Sequence, residues 1–381
     1  MTNAEGPRRP SPGGGSLFHR KRERAANVGI VTLYGSSNFG NRLQNYAVTR
    51  ALEDVGLSPE TLVLRPVLWR GAWHELLKRS AARLRLPGTR MAKQRSFMDF
   101  DRRVPTRLVW SRRHLKALSE RYSLVVCGSD QIWKPYNVSL GGAAFADFFP
   151  GKKVAVSPSL GVDSVTERQV AVMAPLLATF DALSVREFSG QEILRRVTGY
   201  EVPVLIDPTL SLTAEEWLEV SDRRMVPRRP FVLVLLLGPR PAGFDDEVRA
   251  RAARNGLEVE ELGNGASTDT CGAGPQDFLA LVAGAEYVVS DSYHAAIFSV
   301  LFGTDFYLVE RDEEHNTSSR FGALQKLLKL QAGNTGPAGS HLLARTSETA
   351  EALRQERARF SDFLLRATRS DAPTLHAQGG R

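Results

Sequence analysis

The feature that most constrains this chain is a repeated change of hydrophobic period. A short apolar, β-branched run passes into a polar glycine loop, and apolar residues then recur at helical spacing. The first instance is Asn27-Val-Gly-Ile-Val-Thr-Leu-Tyr34, followed by Gly35-Ser-Ser-Asn-Phe-Gly40 and by Leu43, Ala47 and Leu52 up to Gly56. This predicts strand, loop and helix. Thr61 to Leu64 returns as a strand, so the chain opens with a βαβ unit. Further strands are expected at 123–127, 153–156, 183–186 and 203–207, giving a first α/β sheet of about six strands. The pattern restarts at Phe231-Val-Leu-Val-Leu-Leu-Leu237, with later strands at 257–262, 286–290 and 306–309. Its helices are expected to end at Asn255-Gly256, to span 275–284, and to run from His294 to Phe302 and from Ser318 to Leu330. Two consecutive α/β sheets place a ligand cleft between their facing strand C-termini.

A chain of 381 residues suits two such domains. The expected plan is a disordered basic tail over 1–26, a first domain over 27–220 with a basic helical insertion at 65–116, and a polar linker over 221–230. A second domain over 231–345 and a helix with a flexible tail over 346–381 complete it. Residues 65–116 hold 15 Lys/Arg against 3 Asp/Glu, so this stretch faces an acidic partner or covers an acidic surface. Within it, Trp69, Trp73, Leu76 and Leu77 share a helical face ringed by Arg70, Lys78, Arg79, Arg83 and Arg85. Segment 69–86 is therefore either an interfacial helix touching anionic lipid or a charged helix packed on the first domain. A nucleic-acid partner is not expected, because the basic stretch lacks aromatics at stacking spacing.

The longest apolar run, 231–237, is strand-sized and far short of the ~18 to 20 residues a membrane-spanning helix needs. The N-terminus has no apolar signal core, and the expectation is a cytoplasmic protein. Cys127 lies in an apolar run and Cys271 in a glycine-rich loop, with no metal-like spacing, so neither a disulfide nor a metal site is expected.

The polar loops after the strands are the candidate binding surface. The first, containing Asn38, Gly40 and Asn41, has neither the dinucleotide fingerprint nor the P-loop spacing. It is a turn with a helix cap, or an anion site at a helix N-terminus. The densest constellation is Val288-Val-Ser-Asp-Ser-Tyr-His-Ala-Ala-Ile-Phe298. Asp291 or Ser292 can cap the next helix, which puts His294 in its first turn. The helix N-terminus disfavours the imidazolium and a carboxylate such as Asp291 favours it, so His294 suits proton transfer. The other six histidines lie in tails or polar surroundings. Arg186 and Arg320 each follow an interior strand and open toward the same cleft, where a guanidinium can clamp phosphate or carboxylate.

The order Gly29-Ile-Val-Thr-Leu-Tyr, Asn38-Phe-Gly-Asn-Arg-Leu-Gln44, Cys127-Gly-Ser-Asp-Gln-Ile-Trp-Lys-Pro135, Ser184-Val-Arg-Glu187, Asp207-Pro-Thr-Leu210, Asp291-Ser-Tyr-His294 and Ser318-Ser-Arg320 resembles the polysaccharide pyruvyl transferase family. The resemblance spans residues 28 to 331. Ala295 stands where the family commonly has glycine, and Asn41 where it commonly has alanine.

The resemblance implies two Rossmann-like domains in a GT-B-like arrangement, phosphoenolpyruvate as donor, and as acceptor a sugar of a surface polysaccharide or of its lipid-linked precursor. No cofactor and no obligatory metal are implied. On this reading His294 is the general acid/base. Arg186, Arg320, Asp291 and Ser292 bind the donor, and Asn38, Gly40, Asn41, Gln44, Ser129 and Asp130 line the acceptor side. The competing reading is a GT-B glycosyltransferase that uses a nucleotide sugar.

Overall fold

The computed structural model describes residues 27–34, 38–64, 87–134, 142–263, 270–310 and 318–369. The first unit runs through β1 (Val28–Val31), α1 (Phe39–Asp54), β2 (Pro59–Leu64), α2 (Pro87–Asp101), β3 (Thr106–Val109), α3 (Arg112–Ser119), β4 (Leu124–Cys127) and β5 (Lys152–Ala155). The helices α4 (Glu167–Leu177), α5 (Phe188–Thr198) and α6 (Ala214–Glu219) follow. Its five strands are all parallel, in the order β3-β2-β1-β4-β5. β1 and β4 are buried along their whole length, as the unbroken apolar runs of a sheet covered on both faces require.

Two expected strands are not strands. Segments 183–186 and 203–207 make only isolated parallel bridges, at Ala182 with Val154 and at Val185 with Val204. Pro203 has no N–H to extend a ladder. Conversely, β3 lies inside the stretch read as a helical insertion. Its Arg107 pairs with Glu60 of β2 at 2.9 Å, a cross-strand partner that periodicity within one segment does not reveal. The amphipathic helix expected at 69–86 lies outside the described residues.

The second unit comprises β6 (Phe231–Leu236), α7 (Phe244–Arg254), β7 (Glu258–Gly263), α8 (Pro275–Gly284), β8 (Tyr287–Ser290), α9 (Tyr293–Phe302), β9 (Asp305–Leu308) and α10 (Ser318–Leu328). β10 (Gln331–Thr335), β11 (His341–Ala344) and α11 (Thr349–Thr368) close the chain. The sheet order is β10-β11-β9-β8-β6-β7, with β7, β6, β8 and β9 parallel and the last hairpin antiparallel. α7 stops at the expected pair, with Asn255 as its cap and Gly256 at φ +66°.

The first sheet and the parallel part of the second are Rossmann-like. Their strand order reverses between β1 and β4 in the first and between β6 and β8 in the second, and helices leaving in opposite directions open a crevice at such points. The two units meet through a shared apolar core. Phe39 of α1 stacks on Phe97 of α2 and on Phe278 of α8, with centroids 5.6 and 5.2 Å away. A polar clamp lies alongside. Arg224 donates to both oxygens of the buried Asp277 at 2.9 Å, and Ser96 of α2 donates to the same carboxylate at 3.0 Å. The segment read as a bare linker therefore carries an interface residue. α11 returns to the first unit, where Arg357 donates to the carbonyls of Leu210 and Leu212 at 2.7 and 2.6 Å.

Candidate active site

The two reversal points face each other, and a buried ionic cluster fills the junction. β4 leads into Asp130, which holds φ +62°. A left-handed backbone at a non-glycine residue persists where its surroundings over-determine it, often at a ligand site. The Asp130 carboxylate accepts the Asn41 side-chain amide and Arg186 Nη2, the latter at 3.3 Å. Arg186 Nη1 donates to Asp207 Oδ2, and the other Asp207 oxygen accepts Thr209 N at 3.0 Å and Thr209 Oγ1 at 2.7 Å. Arg186 thus lies between two carboxylates, with its side chain 0% exposed.

The second unit supplies the rest. Ser292 caps α9 by accepting Ala295 N at 3.4 Å, which sets His294 in the first turn. His294 Nε2 lies 3.8 Å from Asp207 Oδ2. Arg320, in the first turn of α10, is 8% exposed. It enters no ion pair among the described residues, and its Nε has no hydrogen-bond partner. Of ten such orphaned buried side-chain atoms among the described residues, six belong to Ser159, Arg186, Glu187, Ser189, His294 and Arg320, in or beside this cluster. An unmade buried hydrogen bond costs about 1–3 kcal/mol, so atoms concentrated in this way call for partners that water or a ligand can supply.

The charges set the protonation states. Burial alone would raise the carboxyls of Asp130 and Asp207; the Arg186 guanidinium outweighs it and holds both below the usual carboxylate range. Burial lowers the His294 imidazole below its ordinary 6.5, with Arg186 and Arg320 pushing the same way and Asp207 and Asp130 only partly offsetting them. It rests neutral. Burial and the like charge of Arg186 bring Arg320 down to about 10, which still leaves it a cation at neutral pH.

Of the residues singled out from sequence, His294, Arg186, Arg320, Asp130, Asn41 and Gly40 come together here. Asn38 is exposed and caps α1 by accepting Asn41 N at 3.3 Å. Three others make hydrogen bonds within the protein. Gln44 donates to Thr32 Oγ1 at 2.8 Å and accepts Ser129 N at 3.0 Å, and Ser129 Oγ donates to the Ser157 carbonyl at 2.7 Å. Asp291 accepts the N–H groups of Leu237 and Gly238 at 2.8 and 2.7 Å, fixing the loop after β6. The carboxylate beside His294 is Asp207, not Asp291. Asp207 carried no role in the sequence reading, although an acidic residue before Pro-Thr at the end of an apolar run is itself a cap signal.

Gly40 has a steric reason to be glycine, since a Cβ there would overlap the His294 imidazole. Alanine normally gains about 1 kcal/mol over glycine inside a helix. Overpacking costs about 1–3 kcal/mol and the ring must move to relieve it. Gly40→Ala is therefore expected to change Tm by only a few degrees while lowering turnover at least tenfold, measured as steady-state rate beside a thermal melt.

Two Rossmann-like units joined reversal point to reversal point, with an arginine–histidine cluster between them, make a GT-B-like scaffold. The sequence model described as polysaccharide pyruvyl transferase matches residues 38–313. The chain belongs to that family and is an enzyme of the transferase class. No curated protein matches the sequence significantly. Similar solved structures include the glycosyltransferase SnogD from Streptomyces nogalater, at 15% identity, TM-score 0.41, covering 94% of this chain and 100% of that one. Another is UGT89C1 of Arabidopsis thaliana complexed with UDP-L-rhamnose, at 11% identity, TM-score 0.44, covering 92% and 97%. At these scores the likenesses add nothing to what the strand orders define.

Proposed function

We propose that the enzyme transfers a pyruvyl group from phosphoenolpyruvate to two hydroxyls of a sugar in a cell-surface polysaccharide or its precursor, forming a ketal. The observation that carries this reading is Arg320, a buried cation with no carboxylate partner among the described residues, beside a neutral histidine. A small anion neutralises the one, and its charge favours a proton on the other.

Arg320 binds the donor. Arg186, spent on Asp207 and Asp130, holds the site in shape instead of gripping the donor as the sequence reading had it. His294 Nε2 delivers a proton to the methylene carbon, and the positive charge that develops at the adjacent carbon is met by the first acceptor hydroxyl, which gives up its proton. The first hydroxyl's proton returns to Nε2, phosphate leaves, and the second hydroxyl adds at the same carbon, its proton going to the departing phosphate. Asp207, next to Nε2, favours the imidazolium as it forms. Asn38, at the exposed edge of the first unit, lies on the acceptor side. With a lipid-linked acceptor the enzyme would work at the inner face of the plasma membrane through the basic segment 69–86. No described helix is long and apolar enough to cross a membrane.

The test is a donor screen. A ligand at a hundredfold excess over its Kd adds about 2.7 kcal/mol, which raises Tm by several degrees. Phosphoenolpyruvate is expected to produce that shift and UDP-glucose to produce none. The reverse result replaces this reading with a nucleotide-sugar glycosyltransferase.

A further inference from the structure

We infer that Tyr293 is the positioning residue of this site, holding Arg320 by the face of its ring so that the guanidinium N–H groups stay free for an anion. The inference rests on the donor site proposed above.

Tyr293 opens α9 directly after the Ser292 cap and is 5% exposed. Two guanidinium groups from different domains lie over its ring, the Arg186 carbon 4.8 Å and the Arg320 carbon 5.4 Å from the centroid. Phe321 and His294 meet the same ring edge-on, each with its centroid 5.7 Å away, at interplanar angles of 74° and 80°. These two contacts fix the plane of the ring. One side chain therefore touches both arginines and the histidine.

The two arginines differ in what holds them. Arg186 is tied to Asp207 and Asp130. Among the described residues Arg320 has no such tie, although Asp130 and Glu187 attract it from beyond ion-pair range while burial and the charge of Arg186 oppose it. The negative face of an aromatic ring is what Arg320 meets at close range, and in a desolvated place this contact is strong. A carboxylate would consume the donors it holds. A ring attracts the charge without taking up the fork of N–H groups as a carboxylate does, which is the state an anion-binding arginine needs. Because Tyr293 and Arg320 belong to one domain and Arg186 to the other, the ring also aligns the arginines across the interface.

Isothermal titration of wild type, Tyr293→Leu and Tyr293→Phe with phosphoenolpyruvate and, separately, with inorganic phosphate tests this. Leucine keeps apolar volume but has no π face. Its variant is expected to bind both probes about tenfold more weakly, equivalent to about 1.4 kcal/mol, at a Tm within a few degrees of wild type. Phenylalanine keeps the face and is expected to restore binding to within threefold. Tyr293→Met replaces the leucine variant if that one melts early.

Unchanged affinity in the leucine variant overturns the inference. So does a phenylalanine variant as weak as the leucine one, or a drop in Tm with no loss of binding. If wild type binds phosphate but not phosphoenolpyruvate, the donor assignment falls while the Tyr293 comparison stands on phosphate. Binding of neither overturns both.

Discussion

Replacing His294 with asparagine is expected to lower phosphate release from phosphoenolpyruvate by about 10²- to 10⁴-fold, the range removed with a single general acid/base. The fold should survive, because the Ser292 cap on α9 is independent of the imidazole and Nε2 has no hydrogen-bond partner to lose. Asparagine also avoids the volume clash that a larger residue would create against Gly40. A pH signature should accompany the loss. The folded imidazole titrates below its ordinary 6.5, so below that pH the unfolded chain binds a proton that the folded chain does not. Stability must then rise with pH up to about 6.5 through this group and be flat above it. The asparagine variant should lose that part of the slope in denaturant melts run from pH 5 to 8. Full activity in His294→Asn would remove the histidine from the chemistry.

Asp207→Ala is expected to cost about 3–5 kcal/mol of stability, because it leaves the fully buried Arg186 without its closest counter-ion. Asp130 remains at 3.3 Å and limits the damage without repairing it. Thr209 N and Oγ1 lose their acceptor in the same step. A typical domain is stable by only about 5–15 kcal/mol, so the midpoint of urea unfolding should fall visibly. A loss below about 1 kcal/mol would mean that Asp130 alone satisfies Arg186. Activity should fall as well, since Asp207 is the carboxylate nearest His294 Nε2.

Much of this site was legible in the chain itself, and the boundary of what was legible is physical. The loop after β8 announced its helix because Ser292 precedes a mostly apolar run, and that local pattern placed His294 in the first turn of α9. The pair Asn255-Gly256 ended α7 for an equally local reason. β3 was missed because its charged Arg107 is stabilised by Glu60 on a neighbouring strand. β10 was missed because all five of its residues are exposed, which leaves no buried face to give a period. Segments 183–186 and 203–207 look like strands in composition, yet Arg186 and Asp207 at their ends leave the sheet to bond each other.

Sequence by itself determined the two α/β units, the family, and the residue types available at the loop ends, because period, caps and turns are set by neighbours within a few positions. Only tertiary structure decided which of two similar arginines is neutralised and which finds no ion-pair partner among the described residues, that Asp207 and not Asp291 faces the imidazole, and that Gly40 makes room for His294. Those outcomes depend on distances between residues from about twenty to more than two hundred and fifty positions apart. At such separations the burial of charge, and not local propensity, determines which group pairs with which.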